Sequence, residues 1–151
     1  ILIFLHADSF IKPRGYNKMI NIMQNENIVG GAFSLGIDSD IMPLKIIARL
    51  ATWRSKYLHL VYGDQAIFVR SSIFKIIGGF SHLPICEDLD FFRKLRKTGN
   101  TLILDEEILT SARRWVNEGV LFTTLRNIAI AGLFLLGFSP KVLSRWYASV
   151  R

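Results

Sequence analysis

Hydrophobic positions along the chain recur with two periods, which predicts strands interleaved with helices. Residues 1–5 are all apolar, as in a strand within a core, and residues 29–37 alternate bulky and small side chains with a period of two. The nearly bare face of this second strand would admit a ligand or another backbone. Residues 66–69, 101–105 and 108–111 also predict strands.

Several helices are expected to begin at a proline or an acidic residue, and apolar residues at helical spacing come after it in the sequence. We predict helices from Pro13, from Pro43, before Gly78, from Glu87, over residues 117–137 and after Pro140. The Pro43 helix is expected to bury Leu44, Ile47, Leu50 and Ala51, with Lys45, Arg49 and Arg54 in water. The alternation predicts an α/β fold, a mixed sheet with helices on both faces, in which ligands bind beyond the carboxyl ends of strands.

The charge balance narrows the class of partner. Nineteen Lys and Arg residues against twelve Asp and Glu give a net charge of +7, which favours phosphates, nucleotides or lipid headgroups. From residue 111 onward there are six cations and one acid, Glu118. These cations lie among apolar residues and no nucleic-acid motif is visible, so we do not expect nucleic-acid binding.

Cysteine content and hydropathy bear on location. Cys86 is the single cysteine, which excludes an internal disulfide and fits a reducing, cytoplasmic compartment. The longest apolar run, residues 128–138, is shorter than the roughly 20 residues of a spanning helix, so we expect no transmembrane segment. The chain opens on a strand without an initiator Met, and we expect it to be truncated at its N-terminus.

Five short motifs occur in order along residues 1–115. They are Leu5-His6-Ala7-Asp8-Ser9, Gly63-Asp64-Gln65-Ala66-Ile67-Phe68-Val69-Arg70, Gly78-Gly79-Phe80, Glu87-Asp88 and Ser111-Ala112-Arg113-Arg114-Trp115. Together they resemble a family 2 glycosyltransferase of GT-A fold, and most closely a bacterial subgroup of the radical-SAM/selenodomain-associated type with Leu-His-Ala-Asp in place of Asp-x-Asp. The resemblance implies that residues 1–115 are the catalytic part of a GT-A-like domain, without the first part of its nucleotide-binding half.

The resemblance also implies a reaction and a metal. A sugar would pass from a nucleotide diphosphate sugar to an acceptor hydroxyl, with Mn²⁺ or Mg²⁺ on the diphosphate, and Asp8 would hold the metal. The alternative role for Asp8 is a cap ahead of the Pro13 helix. His6 replaces the first acid of the usual motif and is either a second ligand or a histidine fixed by hydrogen bonds beside the metal.

The acidic pair Glu87-Asp88 matches the family's catalytic carboxylates. The resemblance implies that Asp88 is the general base of an inverting, single-displacement reaction, with Glu87 beside it. Acidic residues are also common in the first turn of a helix, so capping is the competing interpretation.

The remaining motif residues are candidates for binding the donor or the acceptor. Asp64 and Gln65 would accept hydrogen bonds from sugar or acceptor hydroxyls, although a tight turn uses the same residues. Arg114, with Arg113 beside it, would contact the diphosphate. Trp115 would pack against a sugar or, as we favour, in the core.

Residues 116–151 are predicted to form basic amphipathic helices, and three surfaces remain open for their apolar stripe. The helices would pack on the domain itself, on a dimer partner or on the inner face of the cell membrane. The membrane alternative would suit a lipid-linked acceptor. Two other functions compete with glycosyl transfer. One is a nucleotidyltransferase-like enzyme; the other is a catalytically inert basic fragment that binds membrane surfaces, in which Asp8, Asp88 and Arg114 would be scattered.

Overall fold

A mixed five-stranded sheet organises the part of the chain that the structure, a computed structural model, describes, residues 1–148. The strand order is β1-β4-β3-β5-β2; β3 and β5 are parallel, and the other pairs are antiparallel. The strands are β1 (Leu2–Phe4), β2 (Ser9–Ile11), β3 (Ile28–Asp38), β4 (Ile67–Val69) and β5 (Asn100–Ser111).

Seven helices accompany the sheet within residues 1–148. They are α1 (Pro13–Ile22), α2 (Met42–Leu58), α3 (Ser71–Ile77), α4 (Glu87–Arg96), α5 (Arg113–Glu118), α6 (Val120–Leu135) and α7 (Pro140–Ala148). Met19 of α1 and Leu44 of α2 share one core with Phe33 of β3, whereas Phe92 of α4 belongs to a second core with Ala32. The predicted α/β fold is therefore confirmed.

The small residues of β3 are explained by close neighbours rather than by a ligand. A side chain at Gly30, on the nearly bare face, would lie 2.4 Å from the carbonyl oxygen of Phe68, and one at Gly31, on the other face, would lie 2.1 Å from that of Leu102. Both oxygens belong to the strands that flank β3, so backbone rather than ligand fills this space. On the nearly bare face, Gly30 therefore lies against backbone and Ala32 packs in the second core.

Several predicted elements differ from those observed. The two strands expected over residues 101–111 are one strand, β5, in which Asp105 and Glu106 fall between paired positions and form a bulge. The helix expected over residues 117–137 is divided into α5 and α6 at Gly119, whose φ of 91° is not helical. Leu50, expected in the core, is exposed, and the opening strand lies at the edge of the sheet.

The C-terminal helices pack against the beginning of α4. Ile130 and Ala131 of α6 form a third buried cluster with Cys86 and Leu89, and Tyr147 of α7 packs on it. This contact leaves a cleft between the helices and the sheet. Within residues 1–148, no helix combines the length and the hydropathy needed to cross a bilayer.

Candidate active site

A cleft of about 760 Å³ opens where β1, α4 and α5 meet the C-terminal helices. All of the site residues predicted from the sequence, except Gln65, line it. They are His6, Asp8, Asp64, Glu87, Asp88, Arg113, Arg114 and Trp115. Four separate segments of the chain therefore meet at one place, and Asp8, Asp88 and Arg114 are not scattered.

Asp88 is held in place by two backbone donors at the N-terminus of α4. The Gly63 N–H donates to its Oδ2 at 2.6 Å, and the Leu89 N–H donates to its Oδ1 at 2.7 Å. The positive end of the helix dipole favours a carboxylate here. Asp88 is half-buried, whereas its neighbour Glu87 is exposed. Asp88 is thus an ordered carboxylate that still faces the cleft.

His6 and Asp88 both lie close to Gly63. A Cβ atom at Gly63 would lie 2.7 Å from His6 Nε2 and 3.5 Å from Asp88 Oδ2. Only a glycine leaves the imidazole its place without adjustment. The 3₁₀ turn Gly63–Gln65 therefore positions Asp88 through its N–H and accommodates His6 through its missing side chain.

Asp8 lies in the turn that joins β1 to β2. The Ser9 N–H donates to the His6 carbonyl oxygen at 3.0 Å, and the Ser111 N–H donates to the Asp8 carbonyl oxygen at 3.2 Å. These bonds tie the turn to the end of β5, next to the arginines of α5. The side chains of His6 and Asp8 remain exposed at the cleft.

Asp64 carries an oxygen that is buried without a partner. Its Oδ1 has no hydrogen bond within residues 1–148 and no contact with solvent, although the residue as a whole is only half-buried. Burial raises the pKa of Asp64 to about 6; the Arg54 guanidinium opposes this shift and the Asp88 carboxylate adds to it. An acceptor atom held in this way is suited to a ligand hydroxyl.

Gln65 is a correction to the predicted site. It is fully buried and absent from the cleft lining, because its amide is hydrogen-bonded to other residues of the chain. Its Nε2 donates to the Phe33 carbonyl oxygen at 3.0 Å, and its Oε1 accepts from Ser55 Oγ at 2.6 Å. Gln65 therefore anchors the 3₁₀ turn to β3 and α2, and its amide does not face the cleft.

Arg54 was also expected in water and is instead half-buried behind the site. Its guanidinium carbon lies 3.6 Å from the centre of the Tyr62 ring, and its Nη2 donates to Gln65 Oε1 at 3.4 Å. A cation stacked on an aromatic face in this way is attracted by the electrons of the ring. Arg54 thus supports the residue before the 3₁₀ turn and brings a positive charge near Asp64.

Basic and aromatic side chains of α5, α6 and α7 also surround the cleft. Arg113 and Arg114 are exposed at the start of α5, and Arg114 Nη1 donates to the Tyr147 hydroxyl of α7. Arg126 stacks on the same ring, 4.8 Å from its centre, and pairs with Glu118 at 2.6 Å. Acidic and basic side chains therefore line the same cleft.

Trp115 is buried in the main core and also borders the cleft, as the preferred core interpretation predicted. Its Nε1 has no hydrogen-bond partner within residues 1–148. Tyr62, Asn127, Arg145 and Tyr147 line the cleft without having been predicted. Tyr147 follows a Trp in a segment that shows only helical periodicity, so the local sequence does not indicate that it lines the cleft.

A divalent cation would have two side-chain ligands at most in this arrangement. Within residues 1–148, no three His, Cys, Asp or Glu side chains are grouped to hold a metal. Asp8 and His6 offer an oxygen and a nitrogen, a donor set that Mn²⁺ accepts. Mg²⁺ in phosphate-binding sites is commonly held by one or two carboxylates, with substrate oxygens and water completing its shell. A metal at this site would therefore need further ligands from a phosphorylated substrate and water.

Comparisons with known proteins give no family assignment. The chain matches no protein-family model, and no match was found among curated proteins or among solved structures. The functional interpretation therefore depends on the geometry of the cleft and on the motifs that line it.

Proposed function

We propose that this chain is the catalytic, acceptor-side part of a glycosyltransferase that moves a sugar from a nucleotide diphosphate sugar to an acceptor hydroxyl. The observation that carries the proposal is the meeting of Asp8, Asp88 and Arg114 at one cleft. The three residues lie far apart in the sequence, and a basic surface-binding fragment would have no need to bring them together. The resemblance of their motifs to family 2 glycosyltransferases points to the same chemistry.

Asp88 is the general base of the proposed reaction. It removes the proton from the acceptor O–H, and the oxygen attacks the anomeric carbon on the face opposite the diphosphate. The new C–O bond forms as the bond to the diphosphate oxygen breaks, and that bond's electron pair leaves with the nucleoside diphosphate. One displacement of this kind inverts the anomeric centre. The bonds from Gly63 and Leu89 keep the base oriented for the proton transfer.

The diphosphate occupies the side of the cleft between Asp8 and the arginines of α5. Arg113 and Arg114 are exposed there and supply the fork of donors that suits phosphate oxygens. Asp8 and His6 would hold a divalent cation, which when bound neutralises negative charge on the leaving diphosphate. Glu87 stays exposed beside the base and contributes negative charge on the acceptor side.

Asp64 orients the sugar or the acceptor. Above a pH of about 6 its carboxyl is ionised, so the buried Oδ1 accepts a hydrogen bond but cannot donate one. A hydroxyl group is the simplest ligand that satisfies it. A ligand lacking this hydroxyl would leave the oxygen unpaired, and selectivity for the hydroxyl follows.

The test is release of nucleoside diphosphate from a panel of sugar nucleotides with Mn²⁺, followed for the whole enzyme of which this chain is the proposed acceptor-side part and for its Asp88→Asn variant. The proposal expects release with at least one donor and its near loss in the variant, with donor binding by calorimetry retained. Release that is equally fast in the variant would remove Asp88 as the base. Absence of both binding and release across the panel would refute the proposed function.

A further inference from the structure

The outward face of α6 is apolar over its whole length. Leu121 is 72% exposed, Leu125 is 56% exposed and Ile128 is 59% exposed, and they follow one another at helical spacing. The stripe continues past the end of the helix through Leu136 and Phe138. A folded domain seldom leaves so long a row of large apolar side chains in water without a partner.

The charges around this stripe have one sign. From Gly119 to the end of α7 there is no acidic residue, and the cations are Arg126, Lys141 and Arg145. Arg126 is committed to its ion pair with Glu118, whereas Lys141 and Arg145 are exposed. On α7 the exposed Val142 follows Lys141, so apolar and cationic side chains alternate there.

The two helices have a second, inward face. Ile130 of α6 and Tyr147 of α7 line the cleft, so the helices that carry the apolar stripe also form a wall of the candidate site. A surface that bound the stripe would consequently lie close to the mouth of the cleft.

We propose that the α6–α7 outer face docks on a lipid bilayer that contains anionic headgroups. An exposed apolar row on helices that carry cations and no acid from Gly119 to the end of α7 is the composition of a helix that lies in the plane of a membrane interface. Neither helix spans a bilayer, so the contact is peripheral. A second copy of the chain is the weaker occupant, because α6 and α7 carry cations and no acid, so two copies paired through these helices would gain no ion pair between them.

The experiment is co-sedimentation of the protein with vesicles of phosphatidylcholine, with and without an equal share of phosphatidylglycerol. We expect binding to the anionic vesicles that weakens as salt is raised, and little binding to the neutral ones. Leu125→Glu should weaken partitioning by roughly tenfold or more. It removes a leucine side chain that the bilayer would bury, and it adds a negative charge that the anionic headgroups repel. The control Ile76→Glu changes a residue that is 74% exposed on α3, and should bind as the unmodified protein does.

Both changes are at exposed positions, so far-UV circular dichroism should report the same helix content for all three proteins. The proposal is overturned if the unmodified protein does not sediment with anionic vesicles, or if Leu125→Glu binds them as well as Ile76→Glu. It is also overturned if sedimentation velocity shows a dimer that Leu125→Glu dissociates while vesicle binding is absent. The vesicle assay requires no turnover, so its outcome is separate from that of the proposed glycosyl transfer.

Discussion

Replacing Asp88 with asparagine tests the base assignment with a change of one atom. The amide cannot take a proton from an acceptor hydroxyl, so turnover should fall by about 10²- to 10⁴-fold. That loss is equivalent to roughly 3–5 kcal/mol of activation free energy. The change also has a structural cost, because two backbone N–H groups point at the two carboxylate oxygens and an amide can accept only one of them. We expect about 1 kcal/mol of lost stability from this conflict.

Asp90→Asn is the matched control on the same turn of α4. Asp90 accepts from Ser81 Oγ at 2.5 Å and pairs with Lys94 Nζ at 2.8 Å, outside the cleft. The same substitution here should cost about 1 kcal/mol of stability or less and leave turnover near that of the unmodified protein. Steady-state nucleotide release, donor titration calorimetry and thermal melts separate the two effects. The reasoning is refuted if both variants lose turnover equally, or if Asp88→Asn keeps it.

Three further changes test the turn, the buried carboxyl and the sheet. Gly63→Ala should displace the His6 imidazole, whose Nε2 would lie 2.7 Å from the new Cβ. We expect turnover to respond less to Mn²⁺ while the melting temperature is nearly unchanged. A lower melting temperature with a normal response to Mn²⁺ would contradict this. Because burial raises the folded-state pKa of Asp64 from 3.8 to about 6, the free energy of unfolding should fall as the pH rises between those values. Asp64→Asn should remove that dependence in metal-free urea titrations, and a slope that persists would assign it to another group. Gly31→Ala would place its Cβ 2.1 Å from a carbonyl oxygen of β5 and should lower the free energy of unfolding by at least about 3 kcal/mol. The control Gly132→Ala has open space around its new Cβ and should raise the free energy of unfolding by roughly 0.5–1 kcal/mol. Equal urea midpoints for these two variants would contradict the packing of β3.

Most of the order of strands and helices could be predicted, because most elements have a clear period and clear ends, but the short strand β2 was not predicted. Pro13, Glu87 and the pair Gly78-Gly79 mark helix boundaries locally, and the structure keeps those boundaries. The division between α5 and α6 was missed because the apolar periodicity of residues 117–137 continues through Gly119. The bulge in β5 was missed for a different reason, since pairing with β3 continues through a polar stretch that looked like a break.

Site residues could be predicted from the sequence only where the residue type, at its place in a motif, indicates the role. Asp8, Asp88 and Arg114 are of this kind, and the fold brings them together. Gln65 has the same polar chemistry, but whether its amide faces a ligand or the Phe33 carbonyl depends on β3, which is distant in sequence. The contact between Arg54 and Tyr62 likewise depends on how α2 lies against the 3₁₀ turn. Tertiary packing, rather than local pattern, decides such roles.

The proposed diphosphate position beside Asp8 has a direct crystallographic test. Crystals soaked with Mn²⁺ and a nucleoside diphosphate, uridine and guanosine forms in turn, should show an anomalous peak next to Asp8. The diphosphate density should lie between that peak and Arg114, with Asp88 facing the remaining space of the cleft. A metal and a nucleotide bound elsewhere on the protein, with the cleft filled only by solvent, would contradict the account.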